Sequence, residues 1–103
     1  MREKNSTITI DSIQKVVCEF FSVRPSDLRS KRRTRTIALP RQVAMYLCRR
    51  YTNASFPSIG DHFGNRDHST VIHATQVVDH RIKEDVTFRA TVERIQRMLE
   101  SGG

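Results

Sequence analysis

The sequence predicts an all-α fold: one compact helical domain of about five to six helices that contains a helix-turn-helix. Three observations lead there. Apolar residues recur three and four positions apart in one segment after another, the signature of helices with one buried face. Proline, glycine and short polar clusters fall between those segments, where helices stop and start. The one alternating stretch, Ser6-Thr7-Ile8-Thr9-Ile10, is too short to argue for a sheet. A chain of 103 residues suits a single hydrophobic core and leaves no room for a catalytic domain beside it. Residues 1–8 read as an N-terminal tail or linker, 9–101 as the domain and 102–103 as a disordered end.

The first helix is carried by Ile10, Ile13, Val17, Phe20 and Phe21, with Thr9 or Asp11 placed to cap it. Arg24-Pro25 breaks that pattern, and Pro25-Ser26-Asp27-Leu28 suits a short helical turn. Ser30 to Thr36 reads as a basic loop. The next helix is expected from about Ile37 to Thr52, with Pro40 in its first turn and an apolar stripe of Val43, Ala44, Leu47, Cys48 and Tyr51. A short helix then begins near Pro57, buries Ile59 and Phe63, and stops at Gly64-Asn65. Asp67 is placed to cap a helix from His68 to about Lys83, whose inner face holds Val71, Ala74, Thr75, Val78 and Ile82. Phe88, Val92, Ile95 and Leu99 set the register of a last helix from about Val86 to Glu100.

The formal net charge is +7 and the pI near 10.3, which favours a polyanionic partner, nucleic acid or an acidic membrane surface. The distribution says more than the total. From Leu28 to Gly60 there is no acidic residue, while Arg29, Lys31, Arg32, Arg33, Arg35, Arg41, Arg49 and Arg50 add eight positive charges. A solvated charge run would normally interleave acids. Most of these residues are arginines, whose planar guanidinium pairs bidentately with phosphate or lies flat in a narrow groove.

No apolar run is long enough for a membrane span and no leader is apparent, so a cytoplasmic location is expected. Cys18 and Cys48 occupy apolar positions and read as structural thiols. His73 follows His68 by five residues rather than three or four, so no metal site is expected, and His62 and His80 read as solvated. The acids are scattered, which argues against a nuclease and against any catalytic residue. The chain has no Trp and its Phe residues follow buried spacing, which disfavours a single-strand RNA reader. A dimeric repressor would need an apolar surface beyond the core, and none can be located.

What remains is a helix-turn-helix centred on Ser58 to Val78, whose second helix offers Asp67, His68, Ser69 and Thr70 to base edges and phosphates in a major groove. Asp67 has two readings, an N-cap alone or a cap that also meets a base. The stretch from Ile59 to Ala74, IGDHFGNRDHSTVIHA, together with Ser30-Lys31-Arg32-Arg33-Thr34-Arg35 and Pro40-Arg41-Gln42, resembles the signature of the C-terminal DNA-binding domain (domain IV) of the bacterial chromosomal replication initiators, the DnaA family. The resemblance covers the chain from Ile10 onward. It implies a Trp-repressor-like helix-turn-helix domain that binds double-stranded DNA at A·T-rich DnaA boxes of the replication origin, as a monomer and in the bacterial nucleoid. It implies further that no cofactor belongs to this part, ATP being expected only with the upstream AAA+ domain of the family.

By the same resemblance, Arg33 corresponds to an arginine that enters the minor groove, and Asp67 and His68 to major-groove readers. Ser69 stands where Thr is common, keeping the hydroxyl and losing the methyl. Arg41, Gln42 and Thr70 match phosphate-contacting positions, and Arg49 stands where Lys is frequent. Lys31, Arg32 and Arg35 complete the expected phosphate contacts.

Overall fold

The computed structural model describes residues 8–102. Six helices follow one another: α1 (Ile10–Phe21), α2 (Pro25–Arg29), α3 (Arg35–Tyr51), α4 (Phe56–Asp61), α5 (His68–Glu84) and α6 (Val86–Glu100). No strand occurs among the described residues, in line with the expected all-helical domain.

Helices α1, α4, α5 and α6 start where a polar side chain replaces a missing backbone partner. The Thr9 hydroxyl accepts from the Ser12 N–H at 3.1 Å while the Thr9 N–H donates to the Ser12 hydroxyl at 2.8 Å, closing a capping box on α1. Thr9, not Asp11, is therefore the cap. Ile8 and Ile13 flank that box and both enter the core, so packing begins one residue inside the segment expected to be tail. The rest of that segment, 1–7, and Gly103 lie outside the described residues. At the other end the Gly102 N–H still donates to the Leu99 carbonyl, so the first of the two residues expected to be disordered takes part in a turn.

Helix α3 is the central element, packed against α1, α2, α4 and α5. That environment explains why Val43, Ala44, Met45, Leu47 and Cys48 are all buried, a wider face than the sequence stripe, which left out Met45. The helix begins at Arg35, two residues earlier than expected. Thr34 occupies the cap position with extended backbone and makes no side-chain bond there. The basic loop is thus Ser30–Thr34, and Pro40 sits at the sixth helical position rather than in the first turn. There it leaves the Thr36 carbonyl without its usual i+4 donor.

Helices α1, α5 and α6 close the core on the other sides, with Ile13, Val17, Val71, Val78, Val92 and Ile95 fully enclosed. Cys18 and Cys48 are buried free thiols, and burial pushes the Cys48 pKa up to about 12. No helix among the described residues is long and apolar enough to cross a membrane.

Candidate nucleic-acid interface

The helix-turn-helix consists of α4, a connection over 62–67, and α5. Ser55 caps α4 by accepting from the Ser58 N–H at 3.2 Å. The regular part of α4 ends at Asp61, three residues before the expected stop at Gly64. The last turn tightens through i→i−3 bonds from His62 to Ile59 and from Phe63 to Gly60. Two consecutive residues with positive φ, Gly64 (82°) and Asn65 (58°), then reverse the chain, and the Arg66 N–H returns to the Gly60 carbonyl at 3.0 Å. Gly60 is needed for that return, since a Cβ there would lie 2.2 Å from the Arg66 carbonyl oxygen. The turn is also tied to α1: buried Gln14, unremarked in the sequence, donates from Nε2 to the His62 carbonyl at 2.8 Å.

At the start of α5 the Asp67 carboxylate accepts from the Ser69 N–H at 3.0 Å and from the Ser69 hydroxyl through the same oxygen, Oδ2. Asp67 is therefore an N-cap in the free domain. These bonds, with a smaller contribution from His68, hold its pKa below the ordinary carboxylate value. Its other oxygen, Oδ1, lies 3.7 Å from His68 Nδ1, and both side chains are exposed. Ser69 spends its only hydroxyl proton on Asp67, which leaves it an acceptor toward any further partner. His68, Ser69 and Thr70 are all exposed along the first turn.

Beside that helix start lies an open cavity of about 500 Å³. Lys31 and Arg33 line it from the basic loop, Arg41 from α3, Gly64, Asn65 and Arg66 from the turn, and Asp67 and Thr70 from the cap and first turn of α5. Four cations thus face one carboxylate that is already engaged in capping. The fold brings together residues far apart in the chain, the expected minor-groove reader Arg33 and one of the expected major-groove readers, Asp67, among them, whereas His68 and Ser69 lie outside the cavity lining.

Arg41, expected among the phosphate contacts, is only 6 % exposed in the free domain and lines the cavity from its inner side. Its Nε donates to the Leu28 carbonyl at 3.1 Å and its Nη2 to the carbonyls of Asp27 (3.0 Å) and Ser30 (3.1 Å). The reason is its place in α3, three residues before Ala44 and seven before Cys48, on the buried side of the helix. Arg41 holds the end of α2 and the start of the basic loop, and gives the cavity its charge from inside the fold.

Arg66, which the sequence reading passed over, does a related job: it donates from Nη1 to the Phe63 carbonyl and from Nη2 to the Ser30 carbonyl, the latter at 2.7 Å. Its one sequence signal is a cation directly before the cap of the second helix. The pKa values of Arg41 and Arg66 are both lowered, first by burial and then by a neighbouring cation, Arg66 for Arg41 and Arg33 for Arg66. The three guanidinium groups repel one another across the cavity, and a polyanion would relieve that repulsion.

The remaining expected contacts are more scattered. Lys31, Arg32, Arg33 and Arg35 are exposed, Arg32 at 3.9 Å from Asp27 and Arg35 as the first residue of α3. Gln42 is half-buried on α3. Arg49, at the far end of α3, donates to the Ala54 carbonyl at 3.0 Å and stacks 4.4 Å over Phe56, which links it to the first helix of the helix-turn-helix. His62 and His80 are exposed as expected, and no cluster of three or more potential metal ligands occurs among the described residues.

Comparison with known proteins matches this arrangement to one family. A family described as bacterial dnaA protein helix-turn-helix matches residues 10–78. The chromosomal replication initiator protein DnaA of Citrifermentans bemidjiense is 46 % identical over 97 residues, covering 94 % of this chain and 21 % of that protein. Those of Wolbachia pipientis wMel and Geobacter sp. strain M21 are each 44 % identical, covering 97 % and 94 % of this chain and 22 % and 21 % of their own length. The chain thus spans about a fifth of the curated relatives it matches. With the match running from α1 through the basic loop and most of the recognition helix, the chain belongs to the bacterial DnaA C-terminal helix-turn-helix family.

Proposed function

We propose that this domain binds double-stranded DNA in a sequence-specific manner, at A·T-rich DnaA boxes of a replication origin, and so serves the initiation of chromosomal replication that its relatives are named for. The observation that carries the reading is the cationic cavity between the basic loop and the start of α5, which joins two groove-reading elements around room for backbone phosphate. The first turn of α5 enters the major groove, where His68, Asp67 through Oδ1, and Ser69 as an acceptor meet base edges. Arg33 enters the adjacent minor groove, whose negative potential is greatest where A·T pairs narrow it. Lys31, Arg32, Arg35, Arg41, Gln42, Arg49 and Thr70 contact phosphates on either side. Binding is by one domain per box, in the bacterial nucleoid.

Phosphate contacts supply most of the affinity, so binding falls steeply with salt, and the base contacts supply the preference. Titration of a labelled duplex carrying a DnaA box, against a scrambled duplex of equal composition at two salt concentrations, tests this. The box should bind more tightly at both, with parallel salt dependence. Equal affinities would reduce the domain to a general polyanion binder and overturn the proposal. In the same assay His68→Ala should cost about 1 to 3 kcal/mol on the box and far less on the scrambled duplex.

A further inference from the structure

The basic loop has little to hold it in place by itself. Its end at Thr34 carries no side-chain cap, and the side chains of Lys31, Arg32 and Arg33 are exposed. What fixes it is a set of ties to backbone at its base, centred on Ser30. The Ser30 carbonyl accepts from Arg41 at 3.1 Å and from Arg66 at 2.7 Å. The preceding carbonyl, that of Arg29, is met by the turn itself: a Cβ on Gly64 would lie 2.2 Å from its oxygen, so the backbone of the turn rests against the end of α2. Arg66 meanwhile donates with its other terminal nitrogen to Phe63, inside the same turn. One guanidinium therefore spans from the helix-turn-helix to the loop, and its flat fork presents both donors at a fixed spacing.

We propose that Arg66 is a positioning residue for recognition: by bridging Phe63 and Ser30 it sets the distance between Arg33 and the first turn of α5, so that the minor-groove and major-groove contacts are made in one fixed register. The inference rests on the two-groove reading above. Arg66 itself reads no base. It acts through Arg33, because a loop anchored at one carbonyl by two arginines cannot slide along the groove without breaking a hydrogen bond to a charged donor. Removing the bridge leaves α5 capped by Asp67 and braced by the core, and leaves the Ser30 carbonyl to Arg41, with the loop no longer tied to the turn through a side chain.

The test uses the full chain and a duplex in which adenines of the A·T-rich part of the box are replaced by 2,6-diaminopurine. That base adds an amino group in the minor groove and leaves the major-groove edge as it was. A second duplex alters one pair within the part of the box facing His68. Arg66→Lys keeps the charge but cannot hold both carbonyls with one planar group.

For the unaltered protein, each duplex should bind about tenfold more weakly than the intact box. For Arg66→Lys, the diaminopurine penalty should shrink to within about twofold of that for Arg33→Ala, while the major-groove penalty stays near tenfold. Thermal unfolding and Arg66→Gln run alongside, so that a variant that fails to fold is recognised and the second substitution supplies the same comparison. If the unaltered protein is indifferent to diaminopurine, the minor-groove reading of Arg33 fails and the inference with it. If it is sensitive and both Arg66 variants remain equally so, Arg33 reads its groove without the bridge and the positioning role is refuted. A parallel loss of both penalties also refutes it, since Arg66 would then act on the whole fold.

Discussion

The two parts of the interface are held in opposite ways. The start of α5 is organised from within: Asp67 caps the helix it precedes, and Val71, Ala74 and Val78 anchor it in the core from one turn later onward. The loop Ser30–Thr34 has little internal support beyond the Arg32 N–H donating to the Ser30 hydroxyl at 3.3 Å. It is held from outside by Arg41, by Arg66 and by the close approach of Gly64. A helix carries its own hydrogen-bond ladder and needs only an end cap, whereas an irregular segment must borrow partners from its neighbours. Damage to the helix start should therefore stay local, while damage to the loop's supports should spread.

Gly64→Ala breaks that contrast most severely, because it strains the turn and pushes it off the loop at once. Left-handed backbone and a Cβ against the Arg29 carbonyl should together cost more than about 2 kcal/mol, read as a lowered urea midpoint. Arg41→Ala comes next. It removes donors from the Asp27, Leu28 and Ser30 carbonyls and should cost about 2 kcal/mol, with weaker binding to every duplex as the loop loses its base.

Asp67 sharpens the comparison from the other side. Its depressed pKa means that its stabilising effect is present above the ordinary carboxylate pKa of about 4 and fades as pH falls through the lowered folded value. Asp67→Asn keeps the cap and should abolish that part of the acid dependence in thermal melts, with the loop unaffected. The smallest effect is expected far from both regions, at Tyr51. Its hydroxyl donates to Glu100 at 2.7 Å, and burial followed by the Glu100 carboxylate pushes its pKa up to about 12. That contribution is whole below the ordinary value near 10 and is lost as pH rises through about 12. Tyr51→Phe should cost under about 1 kcal/mol, remove the alkaline loss and leave DNA binding unchanged.

Much of this was written in the sequence where a local signal coincides with a buried stripe. α6 is found at its expected limits because Asp85 offers a cap and Phe88, Val92, Ile95 and Leu99 keep one register. α3 begins early because Thr34 and Thr36 are both residue types that can cap a helix, and Thr34 takes the cap position without the side-chain bond that would single it out. The burial of Arg41 was legible in its helical phase with Ala44 and Cys48, whereas the carbonyls that make an interior arginine tolerable are supplied only by the fold. Arg66 and Gln14 were missed for a similar reason. Each bonds to backbone distant in sequence, at Ser30 and His62, and no periodicity announces such a partner.

Asp85 ends α5 with its N–H on the Arg81 carbonyl and begins α6 by accepting from the Phe88 N–H, so a single residue joins the two helices. Mechanically this fixes α5 at the end remote from His68, while α3 and α4 pack along its length and Val71 seats its first turn in the core. At 1.5 Å of rise per residue the helix is roughly 25 Å long, and a tilt of about 3° at that end would swing its tip by about 1.3 Å. Such a swing is opposed by every neighbour packed along the helix, so the tip is held by the whole packed length of α5 as well as by this joint.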